Sequence, residues 1–202
     1  MLLVAMVTSI VGGTMIQEVI GKPDLMQAVS DGKLTLALGI AQELINTLAV
    51  IGIFTALLKP LRQQAPKLAV AYVGVRIFEA IACFAAAIIP IMLMGMVNNS
   101  DIAPAENLIA MRDLMVNWVV TIFFGAGALI LYIMLYRSRL VPRYISVWGI
   151  IATIGIVLTM FVPLVAIHPV LGLPIILNEI YLGIYLIVKG FRSTESKEED
   201  SS

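Results

Sequence analysis

Apolar residues run in six long stretches, at about 1–20, 34–58, 68–96, 107–136, 144–166 and 170–190. A hydrocarbon core about 30 Å thick is crossed by roughly 20 mostly apolar residues of helix, so each stretch predicts a span. Lipid offers the backbone no hydrogen-bond partner, which excludes open strands and leaves helices as the default. Polar breaks separate the first five: "GKPD" at 21–24, "KPLRQQAPK" at 59–67, "VNNSD" at 97–101 and "YRSRLVPR" at 136–143. "HP" at 168–169, with Pro163 and Pro174 on either side, divides the fifth from the sixth. The third and fourth stretches exceed a straight span, which predicts tilt, or a kink at Pro90. The expected fold is an all-α polytopic membrane bundle of six transmembrane helices, one domain over residues 1–192.

The placement of lysine and arginine adds a direction. Lys59, Arg62 and Lys67 fall in the second connection, Arg137, Arg139 and Arg143 in the fourth, and Lys189, Arg192 and Lys197 after the sixth stretch. The alternate connections hold only Lys22 and Lys33. The positive-inside rule then predicts that both termini are cytoplasmic. The first stretch lacks the basic start of a secretory signal peptide and reads as a retained helix. The tail at 193–202, "STESKEEDSS", is polar and predicts a disordered acidic cytoplasmic end.

Composition agrees with a lipid environment. Of 202 residues, 60% are hydrophobic and 13% charged, where a soluble domain carries about 25% charged residues. Net charge is zero, with 13 basic and 13 acidic side chains, so no basic excess points to nucleic acid. Cys83 and His168 are the sole cysteine and histidine. Within one chain that excludes a disulfide framework, paired-histidine zinc sites and bis-histidine haem. No metal or cofactor is expected, and the expected partner is the bilayer.

Against this background the polar residues inside the stretches are the candidates for function. At about 1.5 Å per residue, Glu43 lies roughly 13 Å into the second stretch and Glu179 roughly 13 Å into the sixth. Glu79 lies roughly 16 Å from the cytoplasmic end of the third. Asn46, Asn117 and Asn178 fall at comparable depth, and Arg76 about one turn nearer the cytoplasm. Arg112 and Asp113 occupy the outer half of the fourth stretch, and Glu18 the outer end of the first. Steps of three and four put Glu43 with Asn46 on one face, and Tyr72, Arg76 and Glu79 on another. The same spacing aligns Asp113, Asn117 and Thr121, and also Asn178, Tyr181 and Tyr185.

Each charge costs about 2.5–3.5 kcal/mol or more at the centre of a lipid-facing helix. Several on one small protein are therefore expected in the bundle interior or along a wet cavity. The plainer possibility is structural glue, ion pairs and amide bonds that fix helix register, at about 0.6 kcal/mol each. Five acids (Glu18, Glu43, Glu79, Asp113 and Glu179) stand against two arginines, so pairing cannot neutralise them all. At least one of Glu43, Glu79 and Glu179 is then expected to hold a proton or to face a cation or cationic ligand. "FFGAGA" at 123–128 reads as small-residue helix packing rather than a ligand loop.

Three motifs, "YVGVRIFEA" (72–80), "LYRSRLVPRYISVWG" (135–149) and "NEIYLGIYLIVKGF" (178–191), resemble the bacterial membrane family of domain of unknown function DUF4386. The resemblance covers nearly the whole chain and implies a multi-pass protein of the bacterial plasma membrane with no established activity. It marks Arg76, Glu79, Arg139, Pro142 and Glu179 as motif residues and supplies no catalytic role for any of them. The leading expectation is a membrane-embedded site for a small molecule, proton or cation, used in transport or sensing. The alternatives are an intramembrane enzyme acting on lipid, or a non-catalytic subunit of a membrane complex.

Overall fold

The computed structural model describes residues 1–97, 103–161 and 168–191. Among them every regular element is helical, as expected. They are α1 (Leu2–Ile20), α2 (Leu25–Asp31), α3 (Lys33–Gln64), α4 (Pro66–Gly95), α5 (Ala103–Leu114), a π-helical turn (Met115–Val120), α6 (Thr121–Ser138), α7 (Arg143–Leu158) and α8 (His168–Val188).

Four helices are long and apolar enough to cross a membrane: α1, α3, α4 and the continuous Ala103–Ser138. Arg143–Leu158 and Gly172–Val188 are apolar but shorter. A membrane helical bundle therefore fits, with four helices of spanning length where the sequence pattern predicts six. The fifth predicted span ends early because α7 stops at Leu158. Its final turn tightens, Met160 N–H bonding Val157 O at 3.2 Å and Phe161 N–H bonding Leu158 O at 3.1 Å. The rest of that span, most of "VNNSD" and the acidic tail lie outside the described residues. "HP" forms the first two residues of α8, which starts at His168.

Helices α3 and α4 are longer than a bilayer crossing requires. With 32 and 30 residues, α3 and α4 reach about 48 and 45 Å at the helical rise, against about 30 Å of hydrocarbon. The second predicted span extends six residues past 58, through Lys59 and Arg62, and ends at Gln64, where Pro66 holds Ala65 out of the helical region. Pro60 sits inside α3.

α1 packs on α3, α3 on α4, α4 on α6, α6 on α7, α7 on α8, and α8 returns to α1. The six long helices thus form a ring in chain order, as short connections favour. The α1–α3 crossing is close because both sides lack a side chain. A Cβ on Gly12 would lie 3.0 Å from the Gly39 carbonyl, and one on Gly39 would lie 2.7 Å from Ile16 Cγ1. Small residues at the contact point are the usual means of close approach between membrane helices.

Two apolar cores form within the ring. One gathers Leu57, Leu61, Tyr72, Leu135, Val141 and Ile145 at the end carrying the basic turns. The "SRLVPRY" motif serves it. Arg139 ends α6 in the left-handed region, at φ 52°. Leu140 and Val141 then turn inward and are buried. Pro142 caps α7 and accepts a hydrogen bond from Ile145 N–H at 3.1 Å. The other core, at the opposite end, gathers Ile16, Val19, Leu25, Val29, Leu36 and Leu93. The short helix α2, which the sequence pattern does not predict, contributes Leu25, Ala28 and Val29 to that side.

Candidate functional site

Along α1, α3 and α4, positions between the two cores line a cavity of about 310 Å³. Every long helix of the ring except α7's basic end contributes to its wall, α7 through Ile156. Its polar lining includes Arg76, Glu79, Glu179 and Asn46, together with Ser9, Cys83 and Thr121. The remainder is apolar, with Met6, Val120, Phe124 and Ile175 among the lining residues.

Arg76 and Glu79, three residues apart on α4, form a buried ion pair. Arg76 Nη1 donates to Glu79 Oε1 at 2.9 Å and to Oε2 at 2.7 Å. The arginine stem lies against α6, where a Cβ on Gly127 would come within 3.1 Å of Nε. The guanidinium also stands 5.4 Å from the Tyr72 ring and 5.8 Å from the Phe124 ring. Aromatic faces at that distance stabilise a cation electrostatically. Arg76 Nε is buried with no hydrogen-bond partner. "FFGAGA" is thus helix packing, as expected, but the group packed at Gly127 is a guanidinium.

Glu179 faces this pair from α8. It lies close enough to Arg76 and Glu79 for direct electrostatic influence, yet neither ion pair of the described residues includes it. It keeps some accessible surface while set deep among the helices, because that surface belongs to the cavity. With Arg76 and Glu79 cancelling, an ionised Glu179 leaves the cavity with one negative charge.

The other interior pair is separate. Arg112, on α5, forks onto Glu43 of α3. Nη1 donates to Oε2 at 3.1 Å, and Nη2 donates to Oε1. Nη1 also donates to the Ala86 carbonyl of α4 at 2.7 Å. That carbonyl is available for a local reason. Its helical donor would be the N–H of residue 90, and Pro90 has none. Neither Glu43 nor Arg112 lines the cavity.

The remaining candidates fall in different places. Asn46 lines the cavity, although Glu43, expected on the same face, turns to Arg112. Asn178 is buried, but its Nδ2 donates to the Ile145 carbonyl of α7 at 2.9 Å and it does not line the cavity. Asp113 and Asn117 are exposed, against the expectation of an inward row with Thr121. The π-helical turn explains the change. One additional residue in a turn rotates the downstream positions by about 100°, so Thr121 reaches the cavity without its intended neighbours. Thr121 Oγ1 donates to Val116 O, five residues back, at 3.2 Å. Glu18 is also exposed, beside Lys22 and Asp31 at the end away from the cavity. Tyr181 and Tyr185 do not line the cavity, and Tyr181 instead meets Tyr144, hydroxyl to hydroxyl at 2.8 Å.

The five acids therefore differ in setting. Glu79 and Glu43 are paired, Glu18 and Asp113 are exposed, and Glu179 alone faces the interior cavity without a salt-bridge partner among the described residues. Sequence reasoning missed Cys83 and Phe124 as lining residues. Cys83 lies one turn beyond Glu79, so the spacing that joins Arg76 to Glu79 extends to it.

Comparison with known proteins agrees with the motif resemblance. The family described as Domain of unknown function (DUF4386) matches residues 1–190, and the chain belongs to it. No curated protein and no solved structure matches the chain.

Proposed function

We propose that this DUF4386 member holds a membrane-embedded binding site for a small ligand with one positive charge, used for transport or sensing. A proton or simple cation is the minimal occupant. The observation that carries the reading is Glu179, an unpaired carboxylate facing a cavity whose other two charges satisfy each other. Burying a lone charge is far costlier than burying a pair, so a positively charged occupant stabilises the site. The apolar lining suits the body of such a ligand, since binding pockets are mostly apolar with few placed polar groups. In this reading the protein lies in the bacterial plasma membrane. The basic turns between α3 and α4, and between α6 and α7, face the cytoplasm, together with both termini.

Equilibrium dialysis of tetramethylammonium against the purified protein in neutral detergent tests the site. Saturable binding that falls at least tenfold in Glu179→Gln, and is unchanged in Glu18→Gln, is the expected result. Equal binding by parent and Glu179→Gln would remove the reading. Cation or proton flux into reconstituted vesicles then separates transport from sensing.

A further inference from the structure

A second hollow, of about 350 Å³, lies beside the cavity where α1, α3 and α8 meet. Its wall includes Leu3, Ala56, Leu57, Gly183, Leu186 and Ile187, and no charged or polar side chain contributes. Val4 and Ile187 on its rim are 44% and 76% exposed, so it opens on the apolar outer surface of the bundle.

The two hollows are not independent. Leu2 and Ile53 line both. They form the boundary between an interior cavity with a spare carboxylate and an outer groove with none. Gly183, one turn beyond Glu179 on α8, lines the outer groove where it meets the start of α1. A Cβ there would lie 3.2 Å from Leu3 Cγ and 3.8 Å from Leu2 Cβ. The absent side chain lets the start of α1 settle against α8 while leaving room beside it.

We infer that the site takes a single-chain cationic amphiphile, with its ammonium head at Glu179 and its alkyl chain in the α1–α3–α8 groove past Leu2 and Ile53. The inference rests on the proposed cation site and names its ligand class. Charge complementarity at one end and continuity of wall at the other commit the groove to that occupant. A head group alone would leave the apolar wall at Leu2 and Ile53 unpaired. A neutral chain would leave Glu179 unanswered. The chain gives up lipid for protein of equal polarity, so the groove supplies position rather than large affinity, and head recognition supplies the selectivity.

The test is covalent mapping. A dodecyltrimethylammonium probe with a diazirine at mid-chain is photolysed with the full protein in lipid nanodiscs, beside the matching neutral alcohol. Saturable labelling of peptides carrying Leu57 and Gly183–Ile187 is expected, competed by unlabelled dodecyltrimethylammonium and reduced at least tenfold in Glu179→Gln. Gly183→Leu should abolish the groove labelling while Glu179-dependent tetramethylammonium binding persists. Ile187→Trp blocks the same groove from its exposed rim, should Gly183→Leu fail to fold. Equal labelling by the neutral alcohol, indifferent to Glu179→Gln, would mean an ordinary lipid chain and overturn the inference. Glu179-dependent tetramethylammonium binding with chain labelling only elsewhere would overturn it too, yet leave the cation site standing. Loss of all Glu179 dependence would remove both.

Discussion

The protein contains two interior arginine–glutamate pairs among its described residues, and they are built differently. Arg112–Glu43 joins residues 69 positions apart, and with the Ala86 carbonyl ties α5 to α3 and α4. Its guanidinium uses both terminal nitrogens, and neither partner lines the cavity. Arg76–Glu79 lies within one turn of one helix, uses only Nη1 toward its partner, and leaves Nε unpartnered. It also faces open space and a third charge. The first arrangement holds helices together. The second keeps both ion-pair partners on one helix and leaves polar capacity unspent beside a cavity. Ion pairing inside a membrane protein is thus no single kind of evidence. Whether a pair spans helices, and whether a charge is left over, decides between glue and site.

Arg112→Met is the sharpest way to break this contrast. It strands Glu43 and the Ala86 carbonyl together. Removing one partner of a buried pair costs about 3–5 kcal/mol, and a loss of that size is expected in unfolding measured by steric trapping in bicelles. Glu43→Gln added to Arg112→Met should recover part of it, because the stranded charge is gone. If Arg112→Met unfolds like the parent, the outer pair holds nothing, and the distinction between the two pairs fails.

Glu79→Gln should do less. Arg76 then loses its near partner but keeps Glu179 across the cavity, so the guanidinium is not left without a counter-charge. A loss of about 1 kcal/mol is expected, within the range of polar contacts in membrane bundles. Combining Glu79→Gln with Glu179→Gln should cost more than the sum of the two, because the reserve partner is also removed. A double-mutant cycle by the same unfolding assay reads that excess directly. Strict additivity would show that Glu179 does not answer Arg76, and would weaken the description of one shared site.

Part of this contrast is legible in the sequence. The spacing of Arg76 and Glu79 is a helical turn, and the pair follows from it. The surplus of acids over arginines requires a spare carboxylate, but does not say which one. Pairing between distant helices is set by how they pack, which no local pattern encodes, so spacing cannot match Glu43 to Arg112. The π-helical turn defeats the row of Asp113, Asn117 and Thr121, since spacing arguments assume an unbroken period. The short helix α2 escapes because its seven residues, Leu25–Asp31, mix apolar and polar groups over too little length to show a period. The ring of helices is foreseeable in kind, as an all-helical bundle. Its chain-order closure comes from contacts.

The finest distinction concerns Pro90. The sequence pattern predicts tilt of the long third stretch, or a kink at Pro90. In the structure the missing N–H of Pro90 leaves the Ala86 carbonyl for Arg112 Nη1, at 2.7 Å. In Pro90→Ala the restored N–H competes for that carbonyl, which has lone pairs for both donors. In the parent background the net change in unfolding free energy should then stay within about 1 kcal/mol, one ordinary hydrogen bond. In the Arg112→Met background the same substitution should be favourable, recovering about 1 kcal/mol by pairing a carbonyl that is otherwise stranded. The sign of that difference is what matters. A proline that merely bends the helix would give the same change in both backgrounds, whereas one that presents an acceptor gives a larger gain where the arginine is absent.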